Sequence, residues 1–172
     1  VEVTESTNAD LLGRPVEAAH GVARLAERQT GGRGRRGRSW FSPHARNLYL
    51  SLGWRFEEGP GALRFLPLVV AVAVARAVSA LGFNGLGIKW PNDLVTPRGK
   101  LGGCLVELRS GREAPTLAVL GVGLNVRLAG APGLESLDQP WDDLASELPG
   151  VSRNATAGCV LHALIEALQA FE

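Results

Sequence analysis

The sequence predicts an α+β fold in which helices pack on a mixed β-sheet, and three observations carry that expectation. Several short runs read as strands, most clearly residues 48–54, where Leu48, Leu50 and Leu52 alternate with Tyr49 and Ser51, and also 101–108 and 116–122. A run rich in alanine at 63–81 is too long for a strand and ends at Gly82, a natural helix stop. The stretch 155–171 sets Val160, Leu161, Leu164, Ile165 and Leu168 on one helical face.

Taken in chain order, residues 1–5 alternate like a strand, 8–14 suit a short helix and 21–29 form a second strand. Residues 48–54 follow as a third. At 63–81 Val70, Val72 and Val74 alternate with Ala71, Ala73 and Ala75 as strand residues do. Length and the placing of Pro67, tolerable in a first turn, decide for helix. Strands are expected at 87–90, 94–95, 101–108 and 116–122, with Thr96-Pro97-Arg98-Gly99 as a hairpin turn. Helices are expected at 141–147 and 155–171.

A chain of 172 residues with 45% hydrophobic content predicts one domain spanning 1–172. Its 18 basic and 17 acidic side chains nearly cancel, so no global charge draws it to nucleic acid or an anionic membrane. No uninterrupted apolar run reaches the roughly 18 residues of a bilayer span, and no membrane association is expected. Cys104 and Cys159 are far apart and lack disulfide or metal-ligand spacing, which points to a reducing cytoplasm.

Five segments carry polar chemistry. Gly31 to Arg38 holds four arginines in six residues interleaved with glycine, with no acid nearby in sequence. Guanidinium forks and exposed amides suit phosphate, and the indole of Trp40 offers a flat face for a ring; a solvated basic loop or a nucleic-acid clamp explains the same letters. Lys89-Trp90-Pro91-Asn92-Asp93 reads as a turn whose Asp93 suits Mg²⁺ or an incoming ammonium. In Lys100-Leu101-Gly102-Gly103, a lysine on a glycine-rich strand can lie over a ligand and offset charge between two anions. Gly121-Val122-Gly123-Leu124-Asn125 lets a strand approach a ligand, or simply marks a bulge. Ser6-Thr7-Asn8 and Gln29 are neutral donors and acceptors suited to a polar uncharged ring, although Ser6 or Thr7 is also where a helix N-cap belongs.

In this order the segments resemble the biotin protein ligase family, and the resemblance covers almost the whole chain. The signatures are Glu5-Ser6-Thr7-Asn8, Gln29 with Gly32 to Trp40, Asn47 to Ser51, Lys89 to Leu94, Lys100 to Gly103 and Gly123-Leu124-Asn125. The resemblance implies the catalytic-domain fold of biotin and lipoate ligases, akin to class II aminoacyl-tRNA synthetases. It implies a two-step reaction in which ATP and biotin, with Mg²⁺, give biotinyl-5′-AMP, and the biotin then passes to a lysine of a biotin carboxyl carrier protein. Ser6, Thr7, Asn8, Gln29, Arg33, Gly34, Arg35, Lys100, Gly102 and Gly103 would contact biotin. Arg33, Arg35, Arg36, Trp40, Lys89, Asn92 and Asn125 would hold the nucleotide. Lys100, Arg35 and Asp93 would be catalytic, and Asp93 would also meet Mg²⁺.

Some family members add an N-terminal DNA-binding helix-turn-helix or a small C-terminal β-barrel. Neither is read within these residues, so no DNA partner is expected. Members often pair through this domain, which leaves a homodimer open. Two other readings stand beside the first: a lipoate-type ligase with the same chemistry, and a nucleic-acid-binding module built on the arginine loop.

Overall fold

The computed structural model describes residues 1–110 and 115–171. Its centre is a six-stranded antiparallel sheet of β2 (Ala23–Ala26), β4 (Leu48–Phe56), β8 (Thr116–Leu124), β7 (Gly99–Arg109), β6 (Asp93–Thr96) and β5 (Gly87–Lys89), in that spatial order. A separate parallel pair joins β1 (Val3–Thr4) to β3 (Arg28–Gln29). Parallel and antiparallel pairings therefore both occur, divided between two sheets. The strand expected over 21–29 is broken at Glu27, and its two halves serve different sheets.

The two faces of the sheet have different coverings because strand side chains alternate. Ala118, Leu120, Val122 and Leu124 of β8, with Leu48, Leu50 and Leu52 of β4, face the main core. That core is closed by α3 (Leu66–Ala80) and α4 (Arg153–Phe171), through Val70, Val74, Val78, Val160, Leu164 and Leu168. On the opposite face Leu117 and Val119 meet Leu11 of α1 (Thr7–Leu12) and Ala19 of α2 (Val16–Ala19). The same alternation continues to Gly121 and Gly123, so this second face is apolar at one end and bare of side chains at the other. The functional cavity forms over the bare end.

Most elements stand where the sequence places them, with three further corrections. A short helix, α2, is present that the sequence reading lacks. The helix expected over 141–147 is instead a single 3-10 turn, Leu144–Ser146. Trp141 bridges Lys100 as a strand would, the Leu144 N–H donates to the Asn125 carbonyl, and the Asp143 side chain caps Ser146 N–H. Two consecutive aspartates favour such caps over helix interior. Finally, Ala62–Ala80, a 3-10 turn running into α3, is long and apolar enough by composition to cross a bilayer. The sequence count missed it because Arg64 and Arg76 interrupt the run, and here its apolar face is packed in the core.

Gly53 marks the closest approach of α2 to the sheet, since a Cβ there would lie 2.2 Å from the Ala19 carbonyl oxygen. Gly53→Ala is therefore expected to destabilise the fold by about 1–3 kcal/mol or more through overpacking. Gly59→Ala, with open space around it, should change stability by less than about 1 kcal/mol. Chemical denaturation of the two variants checks the contrast.

Candidate active site

The bare end of the sheet opens into a cavity of about 520 Å³. Its lining brings together all five segments singled out from the sequence: Ser6, Thr7 and Asn8 with Gln29; Arg33 to Arg38 with Trp40; Lys89 to Asp93; Lys100 and Gly103; and Gly121 with Gly123.

A glycine patch on β7 and β8 makes this possible. Gly103 is paired directly with Gly123, and Gly121 lies two residues along β8 on the same face. Each vacancy is filled by other side chains. A Cβ on Gly123 would come within 2.5 Å of the Trp40 ring, and one on Gly121 within 2.4 Å of Asn8 Oδ1. A Cβ on Gly103 would press on Asp93 Oδ1 at 3.2 Å and on the Lys100 side chain at 3.5 Å.

Lys100 reaches the same face through an irregularity. It stands three positions before Gly103, an odd offset that in a regular strand would put them on opposite sides. The register between β6 and β7 shifts between Leu94 and Val95, so Gly102 pairs with Leu94 while Lys100 pairs with Val95. Leu101 is the extra residue; it turns into the core, and Lys100 turns into the cavity. There its Nζ lies 3.0 Å from Asp93 Oδ1 and 5.4 Å from the centre of the Trp40 ring.

Gly102 does not serve the cavity, contrary to the expectation that it clears space for a ligand. It points to the core face, where a Cβ would meet the Gly123 carbonyl at 2.7 Å and the Leu124 side chain at 3.0 Å.

The neutral end of the cavity is held by hydrogen bonds among its own residues. Thr7 N–H donates to Gln29 Oε1 at 2.9 Å, and Thr7 Oγ1 lies 2.7 Å from Ser51 Oγ. Asn8 donates to Glu107 Oε2 at 2.8 Å and to the Leu105 carbonyl at 3.3 Å. Ser6 is the N-cap of α1, its hydroxyl accepting from Ala9 N–H at 3.4 Å, and it lines the cavity as well.

The arginine loop stays largely exposed. Arg35 donates to Asn92 Oδ1 at 3.4 Å, and Arg33 lies 3.9 Å from Glu107. Glu107 is an acid that the sequence could not place beside this loop, being remote from it in the chain. Arg36 adopts a left-handed backbone, φ 59°, within the short turn Arg35–Gly37. Asn92 also ties its turn to β7, donating to the Cys104 carbonyl at 2.8 Å. Trp90, 78% exposed, and Lys89 stand at the rim.

Asn125 sits in a small recess beyond Trp40 that also involves Trp141. Its amide donates to the carbonyls of Lys100 and Asp142 and accepts from Asn47. It is a strut of the cavity wall, with one lone pair of Oδ1 left for a ligand. Cys104 lines the cavity from the buried side; burial first, then the nearby Asp93 carboxylate, push its thiol up to about 12, so it is no nucleophile at neutral pH.

The chain matches the Biotin/lipoate A/B protein ligase family over residues 1–125. It belongs to that family. Among curated ligase relatives, the bifunctional ligase/repressor BirA of Escherichia coli (strain K12) is 42% identical over 171 residues, 99% of this chain and 53% of the relative. The biotin--[acetyl-CoA-carboxylase] ligase of Mycobacterium tuberculosis is 43% identical over 135 residues, covering 75% of this chain and 49% of the relative. The chain thus spans about half the length of the curated ligases it matches. Among solved structures, biotin protein ligase from Aquifex aeolicus in complex with biotin and ATP superposes with a TM-score of 0.81 at 28% identity, covering 99% of this chain and 69% of that one. The likeness extends to the fold expected from the sequence.

A buried carboxylate missed in the sequence anchors the back of this ligase-family cavity. Asp142 accepts from Thr96 Oγ1 at 2.6 Å, Arg98 Nε at 3.1 Å, Asp143 N–H at 2.9 Å and Ser146 Oγ at 3.0 Å. Its N–H donates to the Lys100 carbonyl, fixing the start of β7. Burial alone would raise its pKa, but hydrogen bonds from Thr96, Arg98, Asp143 and Ser146 together hold it below the usual carboxylate value. A folded pKa below the unfolded one gives stability that is present above about pH 4 and is lost as pH falls through the lower folded value. Wild-type stability should therefore fall on acidification below about pH 4, and Asp142→Asn should be less stable at pH 7 with a flatter acid limb. Urea denaturation of both across that range measures this.

Proposed function

We propose that this chain activates biotin as biotinyl-5′-AMP with ATP and transfers the biotin to a lysine of a biotin carboxyl carrier protein. The observation that carries the proposal is the convergence of cations from three separate segments, the Arg33 to Arg38 loop, Lys89 and Lys100, on one cavity whose other end is lined by neutral hydrogen-bonding groups. The name of the Mycobacterium tuberculosis relative and the biotin and ATP held by the Aquifex aeolicus structure support the same reading.

In the first step a biotin carboxylate oxygen attacks the α-phosphorus of ATP and pyrophosphate leaves. Both reactants are anions, so the barrier falls when fixed cations stand where they meet. Lys100, held by Asp93 and the Trp40 face, supplies a positioned ammonium at that seam. Arg33 and Arg35 supply bidentate forks to the phosphate oxygens, and the indole of Trp40 and the side chain of Asn92 flank the nucleotide. Ser6, Thr7, Asn8 and Gln29 define the ureido end. In the second step the acceptor lysine amine attacks the mixed anhydride carbonyl and AMP departs. Asp93, at the rim side of Lys100, orients that amine and takes up its proton.

Among the described residues no cluster of three His, Cys, Asp or Glu side chains is placed to build a metal cage. Asp93 is the carboxylate in the cavity lining, and it is engaged by Lys100. Mg²⁺ would come with ATP, and Asp93 is the side chain of this lining that could reach it, where the ion would offset phosphate charge. The free thiols of Cys104 and Cys159 fit a reducing cytoplasm. The concave site favours a small ligand over the nucleic-acid reading, in which the arginines would line an open groove or face.

The chain, given ATP, Mg²⁺ and biotin, is expected to exchange labelled pyrophosphate into ATP, and Lys100→Ala to lower that rate by about 100-fold or more with circular dichroism unchanged. Absence of biotin-dependent exchange in a folded chain rejects the function. An unchanged rate in the variant removes Lys100 from the chemistry.

A further inference from the structure

The hydrogen bonds behind the neutral end of the cavity have only one consistent direction. Glu107, on β7, has a carboxylate that accepts and cannot donate when ionised. Asn8 therefore turns its Nδ2 toward Glu107 Oε2 at 2.8 Å, with the Leu105 carbonyl as a longer second acceptor at 3.3 Å, which leaves its Oδ1 facing Ser51 Oγ at 2.5 Å. An amide oxygen can only accept, so the single Ser51 proton goes to Asn8. Thr7 Oγ1 lies 2.7 Å from Ser51 Oγ and 3.1 Å from Gln29 Oε1. Were the Thr7 proton directed at Gln29, two oxygen lone pairs would oppose each other at the shorter of these distances. The Thr7 proton therefore goes to Ser51.

We infer that Glu107, acting through Asn8 and Ser51, locks the Thr7 hydroxyl as an acceptor toward the cavity, so that the site selects a ring bearing an N–H donor. Glu107, Asn8 and Ser51 are positioning residues; Thr7 is the group that meets the ligand. Gln29 complements it, because its Oε1 is already taken by Thr7 N–H and its remaining capacity is the Nε2 donor. An acceptor beside a donor matches the N–H and C=O of a ureido ring. It leaves both groups unsatisfied against the sulfur ring of lipoate, and unpaired buried groups are what make polar sites selective. Glu107 thereby links substrate choice to residues outside the cavity lining. Its other oxygen lies 3.9 Å from Arg33, a contact too long for a hydrogen bond.

The inference rests on biotin as the ligand, and the test separates the two claims. Titration calorimetry with biotin, and with the two analogues in which one or the other ureido N–H is replaced by a ring oxygen, is carried out on the wild type, Glu107→Met, Glu107→Gln and Ser51→Ala. The wild type should bind biotin and reject one analogue by about tenfold or more. Glu107→Met removes the shorter of the two acceptors that hold Asn8 and leaves only its 3.3 Å bond to the Leu105 carbonyl, so the Asn8 amide loses its fixed direction, biotin affinity falls about tenfold and the analogue preference narrows. Glu107→Gln, whose amide oxygen can still accept from Asn8, recovers most of the loss. Ser51→Ala releases the Thr7 proton and narrows the preference by an independent route, which keeps the claim testable if Glu107→Met does not fold. No biotin binding by the folded wild type defeats the ligand assignment and the inference with it. Biotin binding with an analogue preference that neither Ser51→Ala nor folded Glu107→Met alters overturns the locked hydroxyl alone.

Discussion

Everything at this site depends on three positions where two neighbouring strands carry no side chain. Gly103 and Gly123 face each other across β7 and β8, and Gly121 continues the patch. A Cβ at Gly123 or Gly121 would collide with the Trp40 indole or the Asn8 amide, and one at Gly103 would crowd the Lys100–Asp93 pair. The sheet thus gives up packing at one end to make room for charge and hydrogen bonding. The cost is met on the opposite face, where the same strands bury Leu120, Val122 and Leu124 against the two long helices.

Much of the cavity wall is bonded to itself before any ligand arrives, although the buried Trp40 Nε1 has no hydrogen-bond partner among the described residues. Asp142 and Asn125 clamp the start of β7, and Asn92 clamps the turn ahead of it. Lys100 is held in place by a bulge and a carboxylate, so the proposed reaction would need little reorganisation there. The arginine loop is the exception. Its guanidinium groups remain exposed and make only long contacts to Asn92 and Glu107, as befits groups whose partners come with the substrate.

The residues that line the cavity were largely legible in the sequence because charge, glycine and aromatic side chains are concentrated in short local runs. Arg33, Arg35, Trp40, Asp93 and Lys100 all line the expected cavity. What escaped was set by distance along the chain. Glu107 meets Arg33 and Asn8 only through the strand pairing, Ser51 had no readable role until Thr7 lay against it, and Asp142 looked like a helix residue until four donors surrounded it. Gly102 misled for a related reason. A run of two glycines does not tell which one faces the ligand, and the bulge at Leu101 decides that. Strand and long-helix periodicity survived intact, whereas 141–147 and 21–29 were decided by capping and by which sheet offered a partner.

The central claim is that cations from separate stretches of chain meet two anionic reactants in this one cavity. A crystal structure of the chain with biotin and a non-hydrolysable ATP analogue tests it most directly. The account predicts the ureido ring against Thr7 and Gln29, the carboxylate and α-phosphate within hydrogen-bonding reach of Lys100, and Arg35 folded onto the phosphates. Ligand density outside the cavity, or an α-phosphate remote from both Lys100 and Arg35, would contradict it.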